Sequence, residues 1–436
     1  MVSNRVLIGR QAESAALEAA CASVRDGHGR CVLVTGEAGI GKTRLVNHAL
    51  ALAGLPAYSG AARSTVAEPY APVAQVLRDC LRRSPDLLEG GGTYAPYCAH
   101  LLPELGVAPE DAGEAALVEA LRRVFAVAGS RGPAAIVLDD LHWADEATLA
   151  LLPVLAGGLR DVPILLIAMA RDEVPADVHR LRRLRAQLRR ESDLAELPLR
   201  PFDRDDTARL AAVVAGEELS DDVIAALHDR AQGIPFYIEE LAGTLVLEGR
   251  RAEAGRLPLP ESVLDAVLLR TEALSLDARN ALERAAVVGQ RFDIEHVAAP
   301  GAGALAEALD TGFLVEAGPG HLEFRHALVR DAVYQAIPWT RRRSLHTSVA
   351  RSLDGAGASA AERATHWLGA GDVERARSAL GEAAAASERV YAYRDAEKLY
   401  ERALDLAGGT DLVRFELLER LAVCAELAGD LAASAR

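Results

Sequence analysis

The residues of the chain that most clearly carry chemistry are the eight from Gly36 to Thr43, which read Gly-Glu-Ala-Gly-Ile-Gly-Lys-Thr. This is the complete pattern G-x-x-x-x-G-K-[ST] of a phosphate-binding loop, whose backbone N–H groups and following helix surround phosphate oxygens. In such a loop Lys42 reaches the β- and γ-phosphates, where its charge also assists catalysis, and the Thr43 hydroxyl binds Mg²⁺. The predicted nucleotide contacts are Gly36, Glu37, Ala38, Gly39, Ile40, Gly41, Lys42, Thr43 and Arg44.

The residues on either side of this loop have the patterns that the loop requires. Cys31 to Thr35 is a short apolar run typical of a strand. Arg44 to Ala53 places its apolar residues on one helical face and is followed by Gly54, which ends the helix. A strand, a glycine-rich loop and a helix in this order distinguish a nucleotide site from a chance glycine-rich turn.

Two acids at the end of a second apolar run provide the other half of this site. Residues 134–138 read Ala-Ala-Ile-Val-Leu and are followed by Asp139 and Asp140. After a phosphate-binding loop, the acid that ends such a strand holds Mg²⁺ directly or through water. We therefore expect Asp139 to bind the metal and Asp140 to polarise the attacking water. Because Asp140 is shorter than the glutamate more common at this position, binding without hydrolysis is an alternative.

A third candidate follows the next predicted strand. Residues 163–170 form an apolar run, and Arg171 comes directly after it. Ligands of an open parallel sheet bind beyond the carboxyl ends of its strands. Arg171 is therefore either a catalytic residue that senses the γ-phosphate or a simple surface arginine.

The composition excludes several classes of protein. The 436 residues carry a net charge of −15, so the whole chain is a poor electrostatic match for nucleic acid or an anionic membrane. The sequence contains neither the apolar core of a signal peptide nor an apolar run of about 18 residues that could span a bilayer. The five cysteines are scattered without metal-binding spacing, which favours a reducing cytoplasm.

Four segments together resemble a known family. Leu138–Asp145, which reads LDDLHWAD, resembles the extended Walker B signature of the large ATP-binding regulators of the LuxR family, which belong to the STAND class of signal-transduction ATPases. Val6–Glu13, Gly233–Glu240 and Phe324–Tyr334 resemble the opening, the G-N-P-F segment and the winged-helix segment of that family. The resemblance covers almost the whole chain. It departs at Ile234, which replaces an asparagine, and in lacking the family's C-terminal DNA-binding helix-turn-helix.

The resemblance implies further contacts to the nucleotide. It places Ile8, Gly9 and Arg10 beside the nucleotide and packs Pro235 on the adenine. The alternative for Pro235 is that it only separates two helices. In related STAND ATPases a histidine of the winged-helix domain contacts the β-phosphate of ADP and holds the closed state. Here that residue is His326, and the alternative is a structural, half-buried histidine.

The expected fold is an α/β P-loop NTPase domain followed by a helical lid, a winged helix and α-helical tetratricopeptide-like repeats. These parts are expected at residues 1–200, 201–255, 256–345 and 346–436. The resemblance implies a parallel sheet of the AAA type with the phosphate-loop strand central. The predicted strands are 31–35, 57–63, 134–139, 163–170 and 194–199, and the insertion at residues 64–130 is expected to be helical.

Two basic stretches invite a nucleic-acid interpretation, which the sequence disfavours. Residues 179–190 place leucines on one helical face and arginines on the rest without interleaved aromatic residues, which is typical of a solvated domain helix. The run Arg341–Arg343 belongs to region 256–345, where twelve acids outnumber ten arginines. A winged helix that reads DNA should be clearly basic. We therefore expect an internal switch part and no DNA binding by this fragment.

The last part of the chain has the pattern of helical repeats. Tyr393–Leu404 resembles the second helix of a tetratricopeptide repeat, and Gly429–Ala432 begins a similar segment at roughly the 34-residue period of that repeat. Because such units normally stack in threes or more, the sequence is expected to be truncated within a repeat.

The expected function is an ATP-binding, slowly hydrolysing switch with the cofactors ATP, ADP and Mg²⁺. As the sensor and motor part of a transcriptional activator, it would be closed by ADP and opened by ATP together with an inducer or protein on the repeats. The ATP state would self-associate. The alternative is an ATPase module or nucleotide-gated scaffold of a cyclase- or kinase-linked signalling protein.

Overall fold

A computed structural model of the protein describes residues 7–63, 68–109, 113–171, 178–247, 263–297, 302–355, 357–407 and 412–429. The predicted repeat segment after Gly429 lies outside these ranges, as do Val6 and the predicted boundary between residues 255 and 256.

The amino-terminal part of the chain, called here the α/β domain, is built around a parallel sheet. Its strands in the described residues are β1 (Arg30–Thr35), β2 (Ala57–Ala61), β3 (Ala134–Asp139), β4 (Ile164–Ala170) and β5 (Leu194–Pro198). Each lies within two residues of the strand predicted for it. The five strands of the described part are arranged in the order β2-β3-β4-β1-β5, and each neighbouring pair is parallel. The phosphate-loop strand β1 was expected to be central. It is interior, but β4 occupies the middle position.

Helices flank both faces of this sheet. They are α1 (Gln11–Arg25), α2 (Lys42–Leu52), α3 (Ala71–Arg83), α4 (Glu114–Ser130), α5 (Glu146–Gly158) and α6 (Val178–Glu191). Segments of 3₁₀ helix span Pro85–His100, which is interrupted at Gly92, and the short stretches Pro103–Leu105 and Leu141–Trp143. The described parts of the predicted insertion are therefore largely helical. The helix α6 buries Leu184 and Leu188, as the leucine spacing of the basic stretch predicts.

Two separate hydrophobic cores cover the two faces of the sheet. Because successive side chains of a strand point to opposite faces, β4 contributes Leu165 and Ile167 to one core and Leu166 and Ala168 to the other. The first core also contains buried side chains of α1 and α2, and the second contains those of α3 to α6. Coverage on both faces explains why the strands read as continuous apolar runs.

Three helices after the sheet, called here the helical module, have a core of their own. They are α7 (Arg204–Ala215), α8 (Asp221–Ala231) and α9 (Pro235–Leu247). Asp203 caps α7 by accepting a hydrogen bond from the N–H of Asp206 at 2.8 Å. Buried residues of all three helices, such as Leu210, Leu227 and Ile238, form one cluster.

The next part, called here the three-stranded module, combines helices with a small antiparallel sheet. Its elements are α10 (Val263–Glu272), α11 (Leu276–Val288), β6 (Arg291–Asp293), α12 (Ile294–Val297), α13 (Ala302–Asp310), β7 (Leu314–Glu316), β8 (His321–Phe324) and α14 (Ala327–Ala336). The described strands follow the order β6-β8-β7, with both pairs antiparallel. Its core is continuous with the first core of the α/β domain.

The C-terminal helices are α15 (Trp339–Gly355), α16 (Ala360–Ala370), α17 (Val373–Arg389), α18 (Tyr393–Asp405) and α19 (Leu412–Leu427). Each packs against the next, and their shared core is rich in alanine. The helix α15 runs across the boundary predicted at residue 345, so the basic run Arg341–Arg343 lies inside a helix. Within the described ranges, each helix is too short or too polar to cross a membrane.

Candidate functional site

The phosphate-binding loop connects β1 to α2, as its sequence predicts. Gly41 precedes α2 with a φ of 96°, and Gly39 has a φ of 78°, both in the left-handed region that favours glycine. A Cβ atom on Gly39 would lie 2.8 Å from the Cβ of Phe236 and 3.1 Å from the Cδ1 of Leu328. Glycine is therefore required at position 39 because two other parts of the chain pack directly on the loop.

Lys42 and Thr43 lie at the start of α2. The buried Lys42 donates hydrogen bonds from Nζ to the carbonyl oxygens of Gly36 and Glu37, each at 2.9 Å. Its charge is thus held inside the curve of the loop. Thr43 donates from Oγ1 to Oδ2 of Asp139 at 2.9 Å, which joins the loop to the end of β3. The structure therefore brings together the loop and the first of the two predicted acids.

Asp139 is the last residue of β3, and Asp140 follows it directly. Oδ1 of Asp139 accepts the N–H of Asp140 at 2.7 Å, and Asp140 has a left-handed φ of 53°. Burial raises the pKa of Asp139, although the hydrogen bond from Thr43 acts in the other direction. Burial, and then the charge of Asp139, raise the pKa of Asp140 to about 6. Two adjacent acids of this kind are suited to a cation.

Arg171 follows β4, the strand that lies between β1 and β3. Its positive charge acts against the burial that raises the pKa of Asp139 and of Asp140. Arg171 is only partly buried, and the orientation of its side chain toward a γ-phosphate stays a prediction.

His142 is a residue of this site that sequence reasoning did not single out. It is almost fully buried, and neither ring nitrogen has a hydrogen-bond partner among the described residues. Its Nδ1 lies 3.8 Å from Oδ1 of Asp140. Burial, and then the charge of Arg171, lower the pKa of His142 to about 3, so the ring beside Asp140 is neutral.

The segment Ile8 to Arg10 lies between the loop and the helical module. The buried Arg10 donates from Nη2 to the carbonyl oxygen of Ile40 at 3.2 Å, and its guanidinium covers the ring of Phe202 at 4.8 Å. Gly9 has a φ of 63° and approaches the carboxylate of Asp206 closely, while Ile8 packs on the core of the helical module. The side chain of Arg10 therefore supports the loop by bonding to the backbone carbonyl of Ile40.

Pro235 is the first residue of α9 and is buried. A proline suits this position because the first helical N–H needs no partner inside the helix. The next residue, Phe236, donates its N–H to the carbonyl oxygen of Gly39 at 3.2 Å. The amino end of α9 is therefore attached to the phosphate-binding loop.

His326 precedes α14 and lies close to the same helix. Its ring centroid is 4.7 Å from that of Phe236, and its Nε2 is 4.0 Å from Oε2 of Glu239. The other carboxylate oxygen of Glu239 accepts a hydrogen bond from Arg44 at 2.7 Å. Burial, and then the charge of Arg325, lower the pKa of His326 to about 4, so the ring is neutral near pH 7.

Two further acids near the site were not singled out from the sequence. Glu239 connects Arg44 to the neighbourhood of His326, and burial raises its pKa although the charge of Arg44 acts in the opposite direction. The charge of Asp331, in α14, contributes to the raised pKa of Asp140. Both residues stand inside the segments used for the family resemblance, but a local pattern carries no information about which partners they meet.

The phosphate-binding loop, Asp139 and Asp140 fall within a region that matches a known family model. Residues 6–167 match the AAA ATPase domain. The uncharacterized protein R02095 of Rhizobium meliloti (strain 1021) is 28% identical over 452 residues, a match that covers 92% of this chain and 43% of the relative. The chain thus spans less than half the length of this curated relative.

Several solved structures are similar to the chain. The Walker-type ATPase PABY2304 of Pyrococcus abyssi has a TM-score of 0.42 at 15% identity, with 75% of this chain and 96% of that chain covered. The Orc1 protein of Aeropyrum pernix, solved with DNA, has a TM-score of 0.38 at 17% identity, with coverages of 77% and 94%. The RuvB branch migration motor of Thermotoga maritima has a TM-score of 0.34 at 16% identity, with coverages of 73% and 93%. Residues 6–167, which are similar to the AAA ATPase domain, contain the loop together with Asp139 and Asp140.

Proposed function

We propose that the chain is an ATP-binding switch that hydrolyses ATP slowly and forms the sensor and motor part of a transcriptional activator. The observation that carries this proposal is the convergence of two other parts of the chain on Gly39. The helical module donates the N–H of Phe236 to its carbonyl oxygen, and Leu328 of the three-stranded module packs beside it. A nucleotide bound in the loop would therefore affect the contacts of both modules with Gly39.

The residues of the loop fit a nucleotide with Mg²⁺. Lys42 already holds its charge against carbonyl oxygens of the loop, and it would exchange these bonds for phosphate oxygens. Thr43 and Asp139, which now bond to each other, would instead share the metal. Bound Mg²⁺ would offset part of the charge of the triphosphate, while Arg171 would sense its far end. Ile8, Gly9, Arg10 and Pro235 would border the base and the sugar.

Asp140 is the residue that would polarise the attacking water. About a third of its side chain is exposed, so water can reach it, and its raised pKa makes it a stronger base than an ordinary aspartate. Its short side chain limits its reach, which fits slow hydrolysis that resets the switch.

The closed state would be held through His326. The ring is neutral, packs on Phe236 and can donate a hydrogen bond to a β-phosphate of ADP. ATP, together with an inducer or protein on the C-terminal helices, would favour opening and self-association. This requires only that each ligand binds the two states with different affinity. The chain itself would not bind DNA.

Equilibrium binding of a fluorescent ATP analogue with Mg²⁺ tests the proposal. Lys42→Ala should abolish tight binding, because the triphosphate loses the main cation of the loop. Arg131→Ala is the matched control, because its exposed ion pair with Asp86 involves neither the loop nor the acids. Equal affinity of the parent and Lys42→Ala proteins would contradict the nucleotide site. Light scattering with ADP and with a non-hydrolysable ATP analogue tests the switch, and a monomer in both would contradict it.

A further inference from the structure

The helix α5, which follows the two acids of the site, is capped from two distant parts of the chain. Without caps, the first four N–H groups of a helix have no partner. Asp145 accepts the N–H of Thr148 at 2.6 Å, as an N-cap residue does. Asp395, in α18, accepts the N–H of Glu146 at 3.0 Å with one oxygen and the N–H of Ala147 at 3.1 Å with the other. The C-terminal helices thus complete the cap of a helix in the α/β domain.

The surroundings of Asp395 show that this contact belongs to an interface between the two parts. Ala392, just before α18, is buried in the second core of the α/β domain. The ring of Tyr391 packs edge-on against His100 with the centroids 5.3 Å apart. At the rim, Lys398 donates to Glu146 at 2.9 Å. The cap is therefore the buried polar centre of a packed contact.

A second ion pair lies in the same contact between the two parts. Arg63 donates to Glu362 of α16 at 3.2 Å, and both side chains are more than a third exposed. This pair joins the α/β domain to the C-terminal helices without touching α5. It therefore offers a matched control for the cap.

The segment between the acids and this cap is short and firmly held. Asp145 is five positions after Asp140, and the intervening 3₁₀ turn buries Leu141 and His142. Oδ1 of Asp145 also accepts the N–H of Tyr70 at 3.2 Å. A displacement of the amino end of α5 would therefore be passed directly to Asp140.

We propose that Asp395 is a positioning residue of the nucleotide site, through which the C-terminal helices hold the Asp139–Asp140 segment in place. This inference rests on the proposed switch and names the contact by which the C-terminal helices and the site affect each other. Because affinity coupling is reciprocal, a nucleotide that moves Asp140 also changes the hold of α18 on α5.

The buried polar groups of this contact allow α18 to separate from α5. Asp145 and Asp395 are each no more than about 5% exposed, and burial raises the pKa of both, with a further contribution at Asp145 from the charge of Asp395. At Asp395, the N–H groups of Glu146 and Ala147 and the positive end of α5 offset this cost only while α18 is docked. Once the parts separate, water can solvate the carboxylate of Asp395 and both N–H groups. Since one side chain accepts both bonds, they are made or lost together.

The test compares Asp395→Ala and Asp395→Asn with the parent chain. Amide hydrogen exchange without nucleotide reports on the cap itself. In Asp395→Ala we expect the N–H groups of Glu146 and Ala147 to exchange about tenfold faster or more, because each loses its partner. The Asn variant should be intermediate, because its amide oxygen can accept one of the two bonds. Glu362→Ala should leave this exchange unchanged.

Nucleotide assays then test the positioning role. Asp395→Ala should lower Mg²⁺-dependent phosphate release about tenfold, while affinity for the ATP analogue, set by the loop, changes by less than about threefold. Partial rescue in Asp395→Asn would follow the exchange data. This separation of rate from affinity is not expected of general destabilisation.

Three results would overturn the inference. Unchanged exchange at Glu146 and Ala147 in Asp395→Ala would mean that the cap is not made in solution. Faster exchange with unaltered phosphate release would mean that the cap does not position the acids. An equal loss in Glu362→Ala would mean that any weakening of the contact has the same effect. Absence of nucleotide binding in the parent chain would instead contradict the proposed function, and the exchange data would still decide whether Asp395 caps α5.

Discussion

Arg44, in the first turn after the phosphate-binding loop, donates a hydrogen bond at 2.7 Å to Glu239 of the helical module. Both side chains are partly buried, at 32% and 20% exposure. A carboxylate in this position ties α9 to α2 and stands 4.0 Å from Nε2 of His326. The bond thus connects the loop to the residue expected to recognise ADP.

Replacing Glu239 by Gln should loosen this connection. The amide can still accept a bond from Arg44 but no longer carries the charge, and for a partly exposed pair we expect a loss of about 1 kcal/mol. This corresponds to about fivefold weaker binding of ADP. Competition against a fluorescent ADP analogue measures it, with Glu196→Gln as a control that removes a comparable ion pair elsewhere. Unchanged ADP affinity would show that the tie is not part of the closed state.

Replacing His326 by Ala should weaken ADP more than ATP and favour assembly. The loss of one hydrogen bond to a charged group costs about 1.5–3 kcal/mol, which is roughly a ten- to hundredfold change in affinity. Titration with both nucleotides and size-exclusion with light scattering are the measurements. His321→Ala, at the exposed start of β8 in the same module, is the control. If ADP affinity is the same and the monomer peak does not shift, His326 is a structural histidine.

Replacing Asp140 by Asn should separate binding from hydrolysis. The amide keeps the shape of the side chain but cannot polarise water as a carboxylate does, so phosphate release should fall by about a hundredfold or more. Binding of the ATP analogue should be retained. Asp331→Asn controls for the loss of a negative charge that acts on Asp140. Release at the parental rate in Asp140→Asn would move the role of the base to another residue.

The chain should not bind DNA. Beyond the net charge of −15, its basic stretches already have partners: Arg185 and Arg189 pair with Glu196, and Arg341 pairs with Glu283. Phosphate contacts supply most of the affinity for nucleic acid, and an acidic surface repels the duplex. A mobility-shift assay at about 50 mM salt should show no retarded band with or without ATP. A salt-sensitive, sequence-dependent complex would mean that the three-stranded module reads DNA directly.

Acid should weaken the fold through the buried pair His346 and His366, whose Nδ1 atoms lie 3.0 Å apart. Burial lowers the pKa of His346 to about 4 and of His366 to about 3, while the hydroxyl of Tyr334 bonds to His346. The charges of neighbouring arginines and of His296 act in the same direction. An unfolded histidine has a pKa of about 6.5. Between about pH 6.5 and 4 the unfolded chain therefore binds protons that the folded chain does not, and stability falls as the pH falls.

The variant His346→Gln with His366→Gln isolates this effect. Between pH 7.5 and 5, each histidine should account for a loss of roughly 2 kcal/mol in the free energy of unfolding, which the variant should lack. Urea unfolding at both pH values measures the difference. Raised carboxyl pKa values oppose this trend, so the comparison with the parent chain is the readout. An unchanged pH dependence in the double variant would contradict the assignment, and exposed His321→Gln is the control.

The sequence predicted the parts of the site that depend on local pattern. The loop, the acids after β3 and the five strands each follow from residue types at short spacing, and the structure has them within two residues. The position of β4 in the middle of the sheet did not follow, because the order of strands depends on long-range packing. The cap of α5 by Asp395 could not be predicted from local pattern either, because Asp395 lies 249 residues from Glu146 and 248 residues from Ala147 in the sequence.

The boundary predicted at residue 345 falls inside the helix α15, which runs from Trp339 to Gly355. A run of arginines looks like a junction in sequence, but Arg341 and Arg343 bond to Glu283 and to the carbonyl oxygen of Ala370 from within α15. These partners belong to different modules. The division of the chain into lid, winged helix and repeats therefore stays a prediction.

The two faces of the parallel sheet pack against different parts of the chain. The core on the α2 face continues into the three-stranded module, whereas the core on the α5 face contains Ala392 beside the C-terminal helices. The sheet therefore separates two sets of contacts, one that links the nucleotide site to the three-stranded module and one that links it to the C-terminal helices. Variants on opposite sides of a rigid partition with no shared contacts should have additive free energies. Glu239→Gln and Asp395→Ala should then combine without interaction, so the two outputs of the site could be tuned independently.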